Sequence, residues 1–277
     1  MEIQIASLRW RIRFEDETAA SVVRARYGAY TAVATSAPLG ELDLVTRTGA
    51  IAPGAKQGNA DVTIVRTGPR FALERLDFRA TLDLATGRAE LAFVGLGGVQ
   101  SFLRVACALT LAPLGGVLVH SCSVVRGDRA FLFVGESGAG KSTIARLSAP
   151  SLILSDEVSA IAPSREAETG YACHATPFWG DLADDQDEHG QRVKLREEPA
   201  SAPLARILFP RKDVRDAVDP VTPITAYTEL MREAFVFGDD DATTRAITAS
   251  CGLIVDRVPA ANLHFRKSAD FWSLLTP

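Results

Sequence analysis

The chain has 277 residues, 47% hydrophobic and 23% charged, with a formal net charge of −4. That composition is globular and excludes disordered, collagen-like and low-complexity classes. Residues 1–105 carry 13 Lys and Arg against 11 Asp and Glu, a balance of +2; the rest carries 17 against 23, a balance of −6. Neither part has the basic excess that a nucleic-acid backbone demands, so no nucleic-acid partner is expected.

Cys107, Cys122, Cys173 and Cys251 lie far apart with no C-x-x-C spacing, which fits reduced thiols in a cytoplasmic protein. Met1-Glu2-Ile3-Gln4 lacks the basic-then-apolar opening of a secretory signal. The longest uncharged stretch, Val105 to Val125, is broken by Pro113, Gly115-Gly116 and His120. It falls short of the roughly 18 consecutive apolar residues of a membrane helix, so no membrane span is expected.

In chain order, the first 95 residues read as a small, mostly antiparallel β region. Ile3 and Ile5 alternate, and Leu8, Trp10, Ile12 and Phe14 alternate on the opposite parity, which implies a bulge or turn near Ala6-Ser7. Further strands are expected at 42–45, 62–65, 71–73, 81–84 and 90–93, the last two joined by a turn around Gly87. Thr48 to Asn59, with three Gly and one Pro, reads as a loop. Past Gly97-Gly98, the spacing of Val99, Phe102, Leu103, Ala106, Leu109 and Thr110 predicts a helix that Pro113 stops. Two short strands, 117–119 and 123–125, precede the continuous apolar run Ala130–Val134, which suits a strand buried on both faces. A Gly-rich loop, a short helix over 142–147 and the run Leu152-Ile153-Leu154 then complete a βαβ unit, making the sheet partly parallel. Leu204 to Phe209 is a strand, and Thr222-Pro223 starts a helix with Ile224, Tyr227, Met231, Ala234 and Phe235 on one face. A last helix spans 240–255 with Ile247, Cys251 and Ile254 inward. The organisation is a β-rich region over 1–95 and an α/β domain over 96–277.

Gly135-Glu136-Ser137-Gly138-Ala139-Gly140-Lys141-Ser142 matches G-x-x-x-x-G-K-[ST], the P-loop. Glycines let successive N–H groups turn inward as an anion nest at a helix N-terminus. Lys141 supplies a cation for the β- and γ-phosphates, and the Ser142 hydroxyl can coordinate Mg²⁺, with Thr143 following. The apolar strand before the loop and the short helix after it are the context the motif needs. Ser155-Asp156-Glu157 places two carboxylates at a strand's C-terminal end, the edge where ligands gather in open α/β sheets. One can accept a proton from an attacking hydroxyl while one or both hold Mg²⁺. Asp156 follows Lys141 by 15 positions, and neither L-S-G-G-Q nor N-K-x-D is present; that spacing is unlike motor or transporter ATPases, and GTPases would carry the guanine-reading element. His120 ends a strand neighbouring the loop; an isolated histidine is more often structural, and this position raises the share of the functional reading.

The order Val119-His120-Ser121, then Gly135 to Thr143, then Leu154-Ser155-Asp156-Glu157, resembles the catalytic domain of HPr kinase/phosphorylase, a relative of ATP-dependent phosphoenolpyruvate carboxykinase. Ala175-Thr176-Pro177-Phe178-Trp179-Gly180-Asp181 is similar to an element of HPr-kinase-like proteins from bacterial gene clusters, some of which phosphorylate serine on ribosomally made peptides. The resemblance covers about residues 115–275. It implies a P-loop kinase core with ATP and Mg²⁺ as cofactors, Asp156 as the base, Glu157 as a metal ligand and His120 near the γ-phosphate. The second acidic residue is Glu157 where that family has Asp, and the second HPr kinase signature has no counterpart, which points to a kinase-only relative with another substrate.

Weaker signals are Phe178-Trp179, lining a substrate or adenine cleft or pairing in the core; the acidic run from Asp181 to Gly190, a mobile solvated loop or else a lid or a dock for a basic partner; Arg211-Lys212, an exposed turn that could also reach phosphate or an acidic substrate; and His174, a surface histidine or a part of the same substrate region. The expected function is Mg-ATP-dependent phosphorylation of a hydroxyl, with serine of a peptide or small protein as acceptor. Free serine or a sugar, and a non-catalytic ATP-binding regulator, are the alternatives; a homo-oligomer is left open.

Overall fold

The computed structural model describes residues 1–31, 38–49, 62–179, 200–238 and 241–275. It is a mixed α/β architecture in which two mixed β-sheets carry the helices. The first sheet begins with a hairpin of β1 (Glu2–Ile5) and β2 (Leu8–Phe14). Its two-residue turn is Ala6-Ser7, at φ of 53° and 67°; both lie in the left-handed region that a tight hairpin requires. The parity change in the apolar pattern is this turn. The sheet continues with β3 (Gly40–Thr48), β4 (Thr63–Thr67), β5 (Arg70–Arg75), β6 (Phe78–Asp83) and β7 (Arg88–Phe93), in the order β1-β2-β3-β7-β6-β5-β4.

Two features of this region depart from the sequence reading. A helix, α1 (Glu17–Tyr27), follows β2, and β3 is parallel to both β2 and β7. Parallel neighbours need a crossover rather than a hairpin, and α1 lies in that connection. Asp16 caps it by accepting from the Ala19 amide at 2.7 Å. Its buried face is Ala19, Ala20, Val23 and Tyr27, too small an apolar stripe to stand out as a helical period. The loop expected from Thr48 lies, beyond Gly49, outside the described residues.

Helix α2 (Gly95–Leu111) forms as its spacing predicts, with Val99, Phe102, Leu103 and Ala106 buried. A Cβ on Gly98 would sit 2.4 Å from the Asp77 carbonyl oxygen, so only glycine allows α2 to seat this closely on the β5–β6 turn. By length and hydropathy the segment 95–114 could cross a bilayer, yet 67% of its apolar window is buried in protein. One core joins the inner face of the first sheet, α1, α2, Leu118, Val158, Ala160 and Phe178.

The second sheet comprises β8 (Val117–Arg126), β9 (Arg129–Val134), β10 (Leu152–Ser155), β11 (Val158–Pro163), β12 (Tyr171–His174), β13 (Ser201–Lys212), β14 (Ala217–Pro220) and β15 (Ala260–Phe265). The two short strands expected at 117–125 are one ten-residue strand, β8. Polar Ser121 and Ser123 interrupt its apolar pattern but are buried inside the sheet. Both β9 and β10 pair antiparallel with β8. They therefore run the same way, as a βαβ unit requires, with β8 lying between them. The pairings β8–β9, β9–β13, β13–β12, β12–β11 and β11–β8 close a circuit, so part of the sheet curls into a barrel-like ring.

Helix α3 (Lys141–Leu147) covers one face of the sheet, and α4 (Pro223–Glu233) and α5 (Asp241–Arg257) cover the other. Ala130, Leu132 and Val134 of β9 face α4 and α5, while Phe131 and Phe133 face α3 and Trp272. Burial on both faces is why that strand is apolar throughout. Thr222 caps α4 as expected, accepting from the Thr225 amide at 3.2 Å. Its inward face, however, is Ala226, Leu230 and Glu233; Ile224 is 69% exposed and Ala234 and Phe235 lie past the helix end. Tyr227, Met231 and Ala234 of the expected face do pack, partly buried, against the core; the most buried positions, Ala226, Leu230 and Glu233, lie beside them, and one of these is a glutamate. All four cysteines are free and buried.

Candidate functional site

β9 ends at Val134 and the G-x-x-x-x-G-K-S loop connects it directly to α3. Gly138 and Gly140 have φ of 84° and 107°. A Cβ at Gly140 would meet the Phe265 ring of β15 at 2.6 Å, so both backbone angle and neighbour demand glycine there. The loop turns on the Ala139 amide, which donates to Glu136 O at 3.1 Å. Lys141 is 7% exposed, and its ammonium donates to the carbonyl oxygens of Gly135 and Glu136, the latter at 3.1 Å. Burial pushes the lysine below its ordinary basicity, and the Glu233 carboxylate opposes that shift.

The acidic pair sits in the turn between β10 and β11. Ser155 pins this turn: its hydroxyl accepts from the Val158 amide at 3.0 Å and donates to the Val158 carbonyl at 2.7 Å. Asp156 is 5% exposed and Glu157 partly exposed. The Ser121 amide donates to Glu157 O at 2.9 Å, which fixes this turn beside His120 on β8. His120, Ser137, Gly138, Gly140, Lys141, Ser142, Thr143, Asp156, Glu157 and Lys212 line one cleft of about 360 Å³. Thus the histidine, the loop and the two carboxylates singled out in the sequence converge. Within the loop, Gly135, Glu136 and Ala139 stand off the cleft lining, and the Glu136 carboxylate turns to Arg232 at 3.4 Å.

Lys212, read from the sequence as an exposed turn with a reach to phosphate as the alternative, is exposed but ends the strand β13, and it lines the cleft beside the loop. Its neighbour Arg211 donates to Glu229 of α4 at 3.0 Å. Glu233, a residue of the site that the sequence did not place there, is 9% exposed and accepts from His120 Nδ1 at 3.1 Å. The signal for Glu233 was its spacing, seven after Ala226 and three after Leu230, which puts a carboxylate on the buried face of α4.

Other expectations resolve away from the cleft. His174 is buried on β12 rather than at the surface, hydrogen-bonded to the Ser7 hydroxyl at 3.0 Å. Burial pushes its pKa down to about 4. Phe178 is fully buried in the shared core, and the Arg26 guanidinium lies 4.5 Å over the Trp179 ring. Arg26 also donates to Pro177 O at 3.2 Å, so this aromatic pair anchors α1 to the second sheet. Gly180, Asp181 and the acidic run to Gly190 lie outside the described residues. A larger groove, about 650 Å³, opens at the other end of β9 around Arg129, Arg206 and Arg257; Asp128, Glu166 and Glu168 in its lining offset those cations. Among the described residues no group of three or more His, Cys, Asp and Glu forms a ready metal cage. A cation here would need oxygen donors from a ligand beside Ser142 and the acidic pair.

Fold and site together define a mixed α/β protein whose glycine-rich lysine loop, strand-end carboxylates and histidine share one cleft. The chain belongs to the SynChlorMet cassette protein ScmC family, whose model matches residues 100–275. The match takes in β8, the loop, the acidic turn and α4, every element that lines or supports the cleft. A comparison with curated proteins finds no match.

Proposed function

We propose that this protein is a Mg-ATP-dependent phosphotransferase acting on a hydroxyl, with serine of a peptide or small protein as the acceptor. In this reading the second sheet and α3 form a kinase core of the HPr kinase / phosphoenolpyruvate carboxykinase type. The observation that carries it is the convergence of Lys141, Ser142, Asp156, Glu157 and His120 on one cleft, where His120, inside β8 rather than at a strand end, meets the C-terminal ends of β9 and β10. A loop that only switched a partner surface would need the glycine-rich turn and lysine but no buried carboxylate facing it.

Phosphoryl transfer rests on positioning and charge neutralisation. The hydroxyl of Ser142 and the carboxylates of Asp156 and Glu157 are hard oxygen donors in the same cleft, the set Mg²⁺ favours. Bound there with the nucleotide, Mg²⁺ supplies neutralisation of phosphate charge. Lys141 supplies a second cation, exchanging its carbonyl partners for phosphate oxygens. Lys212 adds a third from the adjacent strand end. Asp156 accepts the proton of the attacking hydroxyl, and His120, lining the same cleft, is a polar contact for the transferred group.

The test is label transfer from γ-labelled ATP with Mg²⁺ to a pool of serine-containing peptides, to free serine and to sugars. Label on the peptides, absent in Lys141→Ala and Asp156→Asn, is the expected result. Label on free serine or a sugar alone would make it a small-molecule kinase. Tight ATP binding with no transfer to any acceptor would make it a regulator.

A further inference from the structure

The last turn of α4 does more than cover the sheet. Past Glu233 the chain joins β8: Ala234 bridges Val119, and the Phe235 amide donates to Leu118 O at 2.9 Å. That antiparallel register, carried one residue back, sets Glu233 directly opposite His120. Their side chains meet as the register requires, His120 Nδ1 to Glu233 Oε2 at 3.1 Å, with the carboxylate almost fully enclosed. The same turn sends Arg232 to Glu136 of the loop at 3.4 Å and Glu229 to Arg211 at 3.0 Å. One helical turn therefore touches the histidine strand, the glycine-rich loop and the strand that ends in Lys212.

An ionised carboxylate can only accept a hydrogen bond, so against it Nδ1 carries the hydrogen. His120 lines the cleft, and with Nδ1 given to Glu233 the other ring nitrogen, Nε2, is the one left for a cleft ligand, bearing its lone pair in that neutral tautomer. We infer that Glu233 is a positioning residue that holds His120 in a single tautomer and orientation, making Nε2 a preset acceptor inside the cleft. Main-chain pairing on both partners fixes the geometry before any substrate enters. The inference deepens the proposed function and relies on it only for its kinetic consequence.

Two measurements test it separately. In protein labelled with ¹⁵N-histidine, long-range proton–nitrogen spectra in mildly alkaline buffer report which ring nitrogen bears hydrogen, and His120→Asn identifies the His120 signals. The expected spectrum has Nδ1 protonated and Nε2 bare, and Glu233→Gln, whose amide can donate to Nδ1, shifts that balance. A wild-type ring protonated at Nε2, or a mixture unchanged by Glu233→Gln, would overturn the inference. This arm needs no activity, so a protein that transfers no phosphate refutes the proposed function without deciding the pairing.

In the transfer assay, Glu233→Gln is expected to lower kcat about ten- to hundredfold, the usual cost of losing an orienting partner. KM for ATP should change less than threefold or so, and Glu233→Asp should recover part of the rate. The double variant Glu233→Gln/His120→Ala should be no slower than His120→Ala alone, because Glu233 acts through the histidine. Additive losses would assign Glu233 another role. Unfolding midpoints of all variants guard against loss of fold, and if Glu233→Gln is unfolded, Glu233→Asp carries the same cycle.

Discussion

The outer face of the first sheet and the cleft of the second are built from the same side chains and behave in opposite ways. On the first sheet Arg9 and Arg11 reach Glu41, Arg70 reaches Asp83 and Arg79 reaches Glu74, along or across exposed strands. These pairs lie on the sheet surface with at least one partner open to water, where the net interaction is small. In the cleft, Lys141, Asp156 and Glu233 are each less than a tenth exposed, and they come from a loop, a turn and a helix end distant in sequence. Partial exclusion of water strengthens every interaction there and makes an unmatched charge costly. Charge content does not distinguish the two regions; convergence and burial do. The overall acidity of the C-terminal two-thirds would be no obstacle to the proposed phosphate binding, since Lys141 and Lys212 are local cations of the cleft.

The largest test of that contrast is Lys141→Ala. It removes the buried cation, and phosphoryl transfer should fall by about a thousandfold or more, read from initial rates with labelled ATP. Stability should hold or rise slightly, because a buried ammonium is lost; a large drop in melting temperature would mean that the lysine serves the fold instead. Next in size is Phe178→Ala. The ring is fully buried in the core shared by the first sheet and α2, so unfolding free energy should drop by about 3–5 kcal/mol in denaturant titrations. ATP affinity of the folded fraction should stay as it was. A selective loss of ATP binding would instead move this aromatic pair to the nucleotide.

Much of this was legible in the sequence where the signal is local. The loop announces itself through Gly138, Gly140 and Lys141, because backbone angle and charge are properties of single residues. Ala130 to Val134 read as a doubly buried strand for the same reason. Illegible were contacts made by chain reversal over long separations. His120 and Glu233 are 113 positions apart, and only the β8 register joins them. Helix α1 is hidden because alanine carries little apolar contrast, and the inward face of α4 is legible only in part, through Tyr227 and Met231, because its most buried positions include a small alanine and a glutamate. Lys212 looked like a turn because β13 runs on past Pro210, a residue that argues against a central strand. His174 looked like a surface residue because nothing in its neighbourhood reveals that Ser7, 167 positions away, covers it.

That buried histidine sets the next test. Its ordinary pKa of about 6.5 falls to about 4 in the fold. Between those values the unfolded chain binds the proton and the folded one does not, so stability is full above pH 6.5 and declines as pH falls toward 4. The decline attributable to this group is on the order of 3 kcal/mol. Thermal unfolding followed across that window should be visibly flatter in His174→Gln.

The smallest test compares two ion pairs of similar exposure, one in each region. Arg79 and Glu74 meet at 2.6 Å with side chains 70% and 58% exposed; Arg232 and Glu136 meet at 3.4 Å with 52% and 71% exposed. Local electrostatics alone would rank the shorter pair as the more important. Arg79→Ala should nevertheless change stability by less than about 1 kcal/mol and leave ATP binding untouched. Arg232→Ala should be as mild on stability, yet weaken ATP binding about two- to fivefold, because its partner belongs to the glycine-rich loop and the contact restrains that loop. Equal effects of the two substitutions on ATP affinity, measured by calorimetry, would show that position relative to the cleft carries no weight for exposed charges, and would confine the contrast to the buried ones.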